Sequence, residues 1–500
     1  MEGRRKAGAL IVLAVVLAGG GFYAYSTSLA PARTSIPSSI CVPQGNATQV
    51  RSTLAATNIT AITEWELPPP GRYPNAVVVA SDGSIWFGEQ ALAGVAHFFP
   101  ANGSLVEYAW PETTGHPGPA DSFQTSIWGV ALWRGMVWAT NAEQNSIVGL
   151  NATSDTLTVC TLPIPNSSPY TLIVGPDGAL WFTALTQTAF IGRISASSSS
   201  SSLSLSMYSV KSHPQEIPSD LQFLNSSFAY YSALDPYVPK MSGVYSFDPK
   251  NLTDGIYPTP VGGNVTLYDT TSVSASGAQV WVVQHYTSNL WEYNLTSNEW
   301  TVYPTSTENY TDVTLPYFVR TSGNVVFFNE HYGNRMAELN PAPVGTLTEY
   351  SEANPPVDNG TQIQNDLTIA AASGGLWFTS MTGNYVGFLN SSYRPSFWVT
   401  VGNNSVTLAP NESATVNLLV GGSWKGSLNV TTSDSETQSS VPLAIQISPS
   451  TTVVPQGSER KPLTLNLSLM NALEPGRYTV AVSLSDGLII QTAYIFVTVT

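Results

Sequence analysis

The chain has 500 residues, of which 43% are hydrophobic, 11% aromatic and only 10% charged. That length exceeds what one core usually fills, so two or more domains are expected, and the aromatic content excludes a disordered chain. With a net charge of −15 and 18 Lys and Arg spread thinly, no basic stripe is left to neutralise a phosphate backbone, which argues against nucleic acid as a partner.

Residues 1–26 set Arg4, Arg5 and Lys6 before an uncharged apolar run from Ala7 to Tyr25. A helix of that length crosses a bilayer with its positive flank on the cytoplasmic side. Either a cleaved signal peptide or a retained transmembrane anchor fits, and the length of the run favours the anchor. Both place the rest of the chain on the extracellular side of the cell membrane, anchored or secreted. Residues 27–55 read as a linker. Cys41 in that linker and Cys160 are the only cysteines. Outside the cell they can form one disulfide, the alternative being two buried thiols. Asn-x-Ser/Thr triplets recur from Asn46 to Asn466, roughly twice as often as chance would give, so a glycosylated surface is expected. The alternative is that an Asn- and Thr-rich chain simply produces such triplets.

From residue 56 the chain repeats itself. SDGSIWFGE, WRGMVWATN, GPDGALWFTA, SGAQVWVVQH, TSGNVVFFNE and SGGLWFTS each lead a Gly turn into an aliphatic residue, an aromatic and a short strand, and NSSFAYYSALDP is a degenerate further copy. Trp86, Trp138, Trp181, Tyr230, Trp281, Phe327 and Trp377 thus recur at the period of four-stranded propeller blades. Strands such as AFIGRIS and RMAELNP follow, then outer strands such as SLVEYAWP and TLTEYSE. An all-β, seven-bladed β-propeller over 56–395 is the expectation. AITEWELPPPG precedes the first complete copy and reads as the missing outer strand of the last blade. The Ser-rich tract from Ser195 to Ser206 reads as a flexible outer loop between the third and fourth blades. From residue 396 to 500 the aromatic repeat gives way to short alternating strands between Pro, Gly and Asn turns, the texture of an Ig-like β-sandwich serving as a spacer or adhesion module.

GPDGALWFTALTQTAFIGRIS and PYFVRTSGNVVFFNEHYGNRMAELNP resemble the repeats of the streptogramin lyase (virginiamycin B lyase) family of propellers. The resemblance spans 56–395 and none of the C-terminal part. It implies elimination at a depsipeptide ester, with Mg²⁺ held partly by the Glu that ends an LWFTE strand and a His in a P-H-x-I segment as base. Glu330 and Glu89 match the metal-binding carboxylate, and His285 and His331, at strand ends, are the candidate catalytic histidines. The chain departs from the pattern at Pro74-Asn75, Pro169-Tyr170 and Pro316-Tyr317, where the family has its His, and at Ala184 and Ser380, where it has its Glu. Because neighbours on a strand face opposite ways, Glu330 and His331 are not expected to share one ion. The structural alternative sets Glu330 in solvent at a channel mouth and His331 on a turn. His97, His116 and His213 read as polar surface residues, and the repeated tryptophans as core. The leading expectation is an exported, glycosylated cell-surface protein that binds a protein partner or small-molecule ligand without catalysis. A Mg²⁺-dependent lyase or related hydrolase, and a structural component of the cell envelope, are the alternatives.

Overall fold

A computed structural model describes residues 41–111, 127–185, 190–196, 202–210, 217–225, 229–234, 243–250, 253–258, 270–284, 288–306, 314–331, 333–341, 345–352, 366–434, 445–448, 451–454, 460–469 and 475–500. The apolar N-terminal run lies outside them. Among the described residues every regular element is a strand, and no helix is long and apolar enough to cross a membrane. The chain forms two compact units, one of residues 1–54, 67–234 and 245–256, the other of 55–66, 235–244 and 257–500.

Among the described residues, six antiparallel sheets of four consecutive strands follow one another along the chain. The first comprises Pro74–Val79, Ile85–Glu89, Gly94–Phe99 and Ser104–Ala109; the sixth comprises Pro316–Ser322, Val325–Glu330, Arg335–Asn340 and Thr346–Ser351. A seventh takes Asp366–Ala372, Gly375–Ser380 and Tyr385–Asn390, and its fourth strand is Ile62–Glu66 from the segment AITEWELPPPG, with Val386 opposite Trp65. The second strand of each sheet carries the repeated aromatic. IWFGE, LWFTA and GLWFTS are buried along their whole length, so polar alternation is lost. In the first unit Trp86 joins a core with Val137 and Leu157 of the second sheet, Trp138 one with Leu180 and Phe182 of the third, and Trp181 one with Tyr231 and Tyr245 of the fourth. In the second unit Trp281 of the fifth sheet packs with Val319 and Phe328 of the sixth.

The pairing of LWFT with IGRI has a steric origin. Gly192 is the register partner of Phe182 and Gly387 of Phe378. Each aromatic ring lies where the glycine's side chain would start. A glycine there is the space the ring occupies.

Two segments differ from expectation. Residues 27–55 are a linker only in part: Val42–Asn46 pairs with Thr156–Thr161 as a fifth strand of the second sheet, and Thr48–Thr53 pairs with Ser104–Ala109 as a fifth strand of the first. These polar strands cover edges that would otherwise offer unpaired backbone groups. Cys41 is disulfide-bonded to Cys160 on the strand beneath. The Ser-rich tract is likewise no outer loop between blades; its ends belong to the strands Phe190–Ala196 and Leu203–Ser209 of the third sheet, with Ser195 opposite Ser204. Serine hydroxyls bond across that pair at 2.8 Å.

In the second unit the C-terminal strands do not stand apart. Ile489–Val499 pairs antiparallel with Thr346–Ser351, Leu347 opposite Thr492, and the sheet runs on through Gly476–Ser485, Leu428–Asp434 and Thr451–Val454. A further four-strand sheet joins Phe397–Val401, Ser413–Gly422, Lys461–Leu469 and Ile445–Ser448.

Candidate functional site: two buried carboxyl pairs

Glu330 ends the second strand of the sixth sheet, with Pro316 opposite on one side and Arg335 on the other. It is 0% exposed. The expected placement in solvent at a channel mouth is therefore wrong, and the reason is packing against the sheet's own fourth strand. Glu349 comes from that strand, opposite the small residue Ala337, which leaves room for its carboxyl. Arg335, itself buried, sets Nη1 4.0 Å from Glu330 Oε2 and donates to Ser306 Oγ at 2.9 Å, while the Ser306 N–H donates to Glu349 Oε1 at 3.0 Å. Burial, and then the facing Glu349, push the Glu330 carboxyl well above the usual carboxylate range against the pull of Arg335. Burial raises Glu349 as well, with Arg335 opposing. The two buried carboxyls thus face one another beside a single guanidinium, and each is raised by its burial.

The first sheet repeats this plan. Glu89 ends the second strand opposite Pro74 and Gly94, is 0% exposed, and faces Glu107 from the fourth strand, which lies opposite Ala96. Burial and then Glu107 raise Glu89 well above its ordinary value, and Arg72 lowers it. The Arg72 Nε–H donates to Glu107 Oε1. Glu64 occupies the corresponding place in the seventh sheet, opposite Gly387 and buried. These fourth-strand glutamates share a local pattern that the second strands do not show: VEY, TEY and TEW recur in SLVEYAWP, TLTEYSE and AITEWEL, a buried charge repeated in the outer strands.

The family's histidine positions are filled by other chemistry. Tyr317 follows Pro316 and stacks on His331, ring centroids 4.3 Å apart. His331 is buried and its backbone N–H donates to Leu315 O at 3.1 Å. Its ring is thus held in a stack just past the end of the strand. Asn75 follows Pro74, is buried, donates from Nδ2 to Ile127 O at 3.2 Å and accepts from the Ala76 N–H. His285, His116 and His213 lie outside the described residues. His97, expected as surface trim, is half-buried between Trp86 and Phe99 with Nε2 2.8 Å from Ser84 Oγ. Burial lowers it to about 4, with Asp82 pulling the other way. Asp82 accepts from Ser84, so the serine sits between acid and imidazole. That order differs from the acid–imidazole–hydroxyl order of a catalytic triad.

Mg²⁺ takes ionised carboxylates and keeps several waters. Glu89 and Glu330 each share a closed interior with a second carboxyl and an arginine, and burial raises both. Among the described residues no group of three or more His, Cys, Asp or Glu gathers into a metal site.

No family model matches the chain, and no curated protein matches it. Solved structures do. A catalytically inactive virginiamycin B lyase from Staphylococcus aureus, solved with quinupristin, is similar with a TM-score of 0.51 and 18% identity, over 66% of this chain and 98% of that one. A streptogramin B lyase structure gives the same score and identity, over 66% of this chain and 97% of its own. At that identity the likeness is one of fold, and it carries the conclusion that this chain has the β-propeller fold of the streptogramin B lyases.

Proposed function

We propose that residues 56–395 form a seven-bladed propeller and residues 396–500 an Ig-like sandwich in an exported, glycosylated cell-surface protein, which binds a protein partner or small-molecule ligand without catalysis. The observation that supports the non-catalytic reading is the complete burial of Glu89 and Glu330, each beside a second glutamate and an arginine. Support for export comes from the Cys41–Cys160 disulfide together with the basic cluster and apolar run at the N-terminus. A Mg²⁺-dependent lyase is the second reading, favoured by the fold and by the place of Glu330 at the end of its strand.

Calorimetric titration of Mg²⁺ and Mn²⁺ into the chain lacking its first 26 residues separates the two. The expected outcome is no saturable binding and no opening of quinupristin. Saturable binding that Glu330→Ala abolishes, together with ester opening, would replace the binding-protein reading with the lyase.

A further inference from the structure

We propose that the exits of the third strands in the second, fifth and seventh sheets are N-glycosylation sites, at Asn151, Asn294 and Asn390. The proposal rests on the exported reading above and assigns its sugar to particular turns.

The three asparagines hold one register position. In each sheet the buried aromatic of the second strand has a partner on the third: Trp138 opposite Gly149, Trp281 opposite Glu292, Trp377 opposite Phe388. Two residues beyond that partner stand Asn151, Asn294 and Asn390. Each begins an Asn-x-Ser/Thr triplet, and each side-chain Oδ1 accepts from the backbone N–H of the triplet's own hydroxyl residue: Thr153 at 3.0 Å, Thr296 at 2.8 Å, Ser392 at 2.9 Å. This is an Asx turn, which needs only an acceptor oxygen. Asp248, ending the third strand of the fourth sheet, makes the same bond to the Lys250 N–H at 2.8 Å with no amide at all. The turn therefore explains Oδ1 and leaves Nδ2 and the hydroxyl residue unexplained.

Glycosyl transfer uses the other atom. The Nδ2 nitrogen bonds to the anomeric carbon of a diphosphate-linked oligosaccharide, the carbon–oxygen bond to the diphosphate breaks, and the diphosphate leaves with the electron pair. One amide proton passes to a base of the transferring enzyme. Oδ1 is untouched, so the turn survives with the sugar attached.

Exposure divides the asparagines in the same way. Every triplet asparagine among the described residues is exposed or half-buried, whereas the buried Asn75, Asn141, Asn289 and Asn329 head no triplet. The sixth sheet supplies an internal control. Phe327 lies opposite Glu338, which puts Asn340 at the shared position, but Pro341 and Ala342 follow it and no acceptor triplet exists. That hairpin leads into the strand whose outer edge pairs with Ile489–Val499, and Gly345 lies against the Tyr494 ring.

The test is glycopeptide mass spectrometry on the full chain expressed in a glycosylating, exporting host, with amidase release in heavy-oxygen water to mark occupied sites. Asn151, Asn294 and Asn390 are expected to be mostly occupied, and Asn340, Asn75 and Asn329 bare. Asn294→Asp keeps the turn's acceptor and Thr296→Ala keeps its backbone donor; each should lose one glycan with an unchanged Tm. An exported chain with all three asparagines bare overturns the sites and leaves export standing. A chain found only inside the cell overturns both.

Discussion

Glu330 shows how a buried acid is tolerated. An isolated carboxylate in that place would be destabilising by several kcal/mol, and Arg335 offsets part of that penalty. Arg335→Met, which leaves two acids without a cation, is expected to lose about 3–5 kcal/mol at neutral pH in denaturant unfolding. Glu330→Gln, which keeps size and removes the titrating proton, should stay within about 1 kcal/mol of the parent. The raised Glu330 sets a pH dependence. Its contribution is fully present below the unfolded carboxylate value and is lost as pH rises through the higher folded value. Tm should therefore fall towards alkaline pH more steeply in the parent than in Glu330→Gln. His97 acts in the opposite direction: lowered from 6.5 to about 4, it favours the fold above the unfolded value and loses that contribution as pH falls towards 4. Ring resonances of His97 that titrate near 6.5 would refute its packing between Trp86 and Phe99. The position of Glu330 at a strand end was legible in FFNE. Its environment was not, since Glu349 faces it from another strand, Ser306 joins Arg335 and Glu349 from outside the strands, and no local pattern links them.

Among the elements, the repeat itself was the legible part, because a Gly turn followed by a buried aromatic is a local signal. The aromatic–glycine contact makes the motif physically testable. Gly192→Ala would drive a methyl into the Phe182 ring, and overpacking of this kind is expected to destabilise by about 1–3 kcal/mol, seen as a lower denaturant midpoint. Gly178, at φ 72° in a turn with open space around it, serves as the contrast: its substitution strains the backbone without touching the core. The strands Val42–Asn46 and Thr48–Thr53 were not legible. VPQGN and TQVRST bury little, so they carry no apolar alternation, and their order comes from the sheet edges they cover and from Cys160. Replacing Cys41 and Cys160 together by Ser is expected to cost about 2–4 kcal/mol, with hydrogen exchange rising first across residues 42–53.

At the scale of the whole molecule, the change of texture near residue 396 marks where the aromatic repeat stops, yet it does not mark an independent spacer. Ile489–Val499 is buried along nearly its whole length, because it pairs with Thr346–Ser351 on one side and Gly476–Ser485 on the other. Sequence alone could not show this, since a strand buried by a neighbouring sheet and one buried inside its own domain have the same apolar run. Side chains reinforce the seam: Tyr494 packs edge-on to Tyr303 and its hydroxyl donates to Pro304 O at 2.9 Å, and Gln491 Nε2 donates to Thr348 Oγ1 at 2.7 Å. Truncation after residue 395 would therefore strip the outer edge of the sixth sheet and uncover Tyr303. An unpaired edge beside an apolar patch invites pairing with another chain. The truncated chain is expected to form oligomers by light scattering, and the amides of Thr346–Ser351 to lose protection in hydrogen exchange. A spacer joined only by a tether predicts the reverse, a monomer whose sixth sheet exchanges as slowly as in the full chain, and that result would show the seam to be dispensable for the fold.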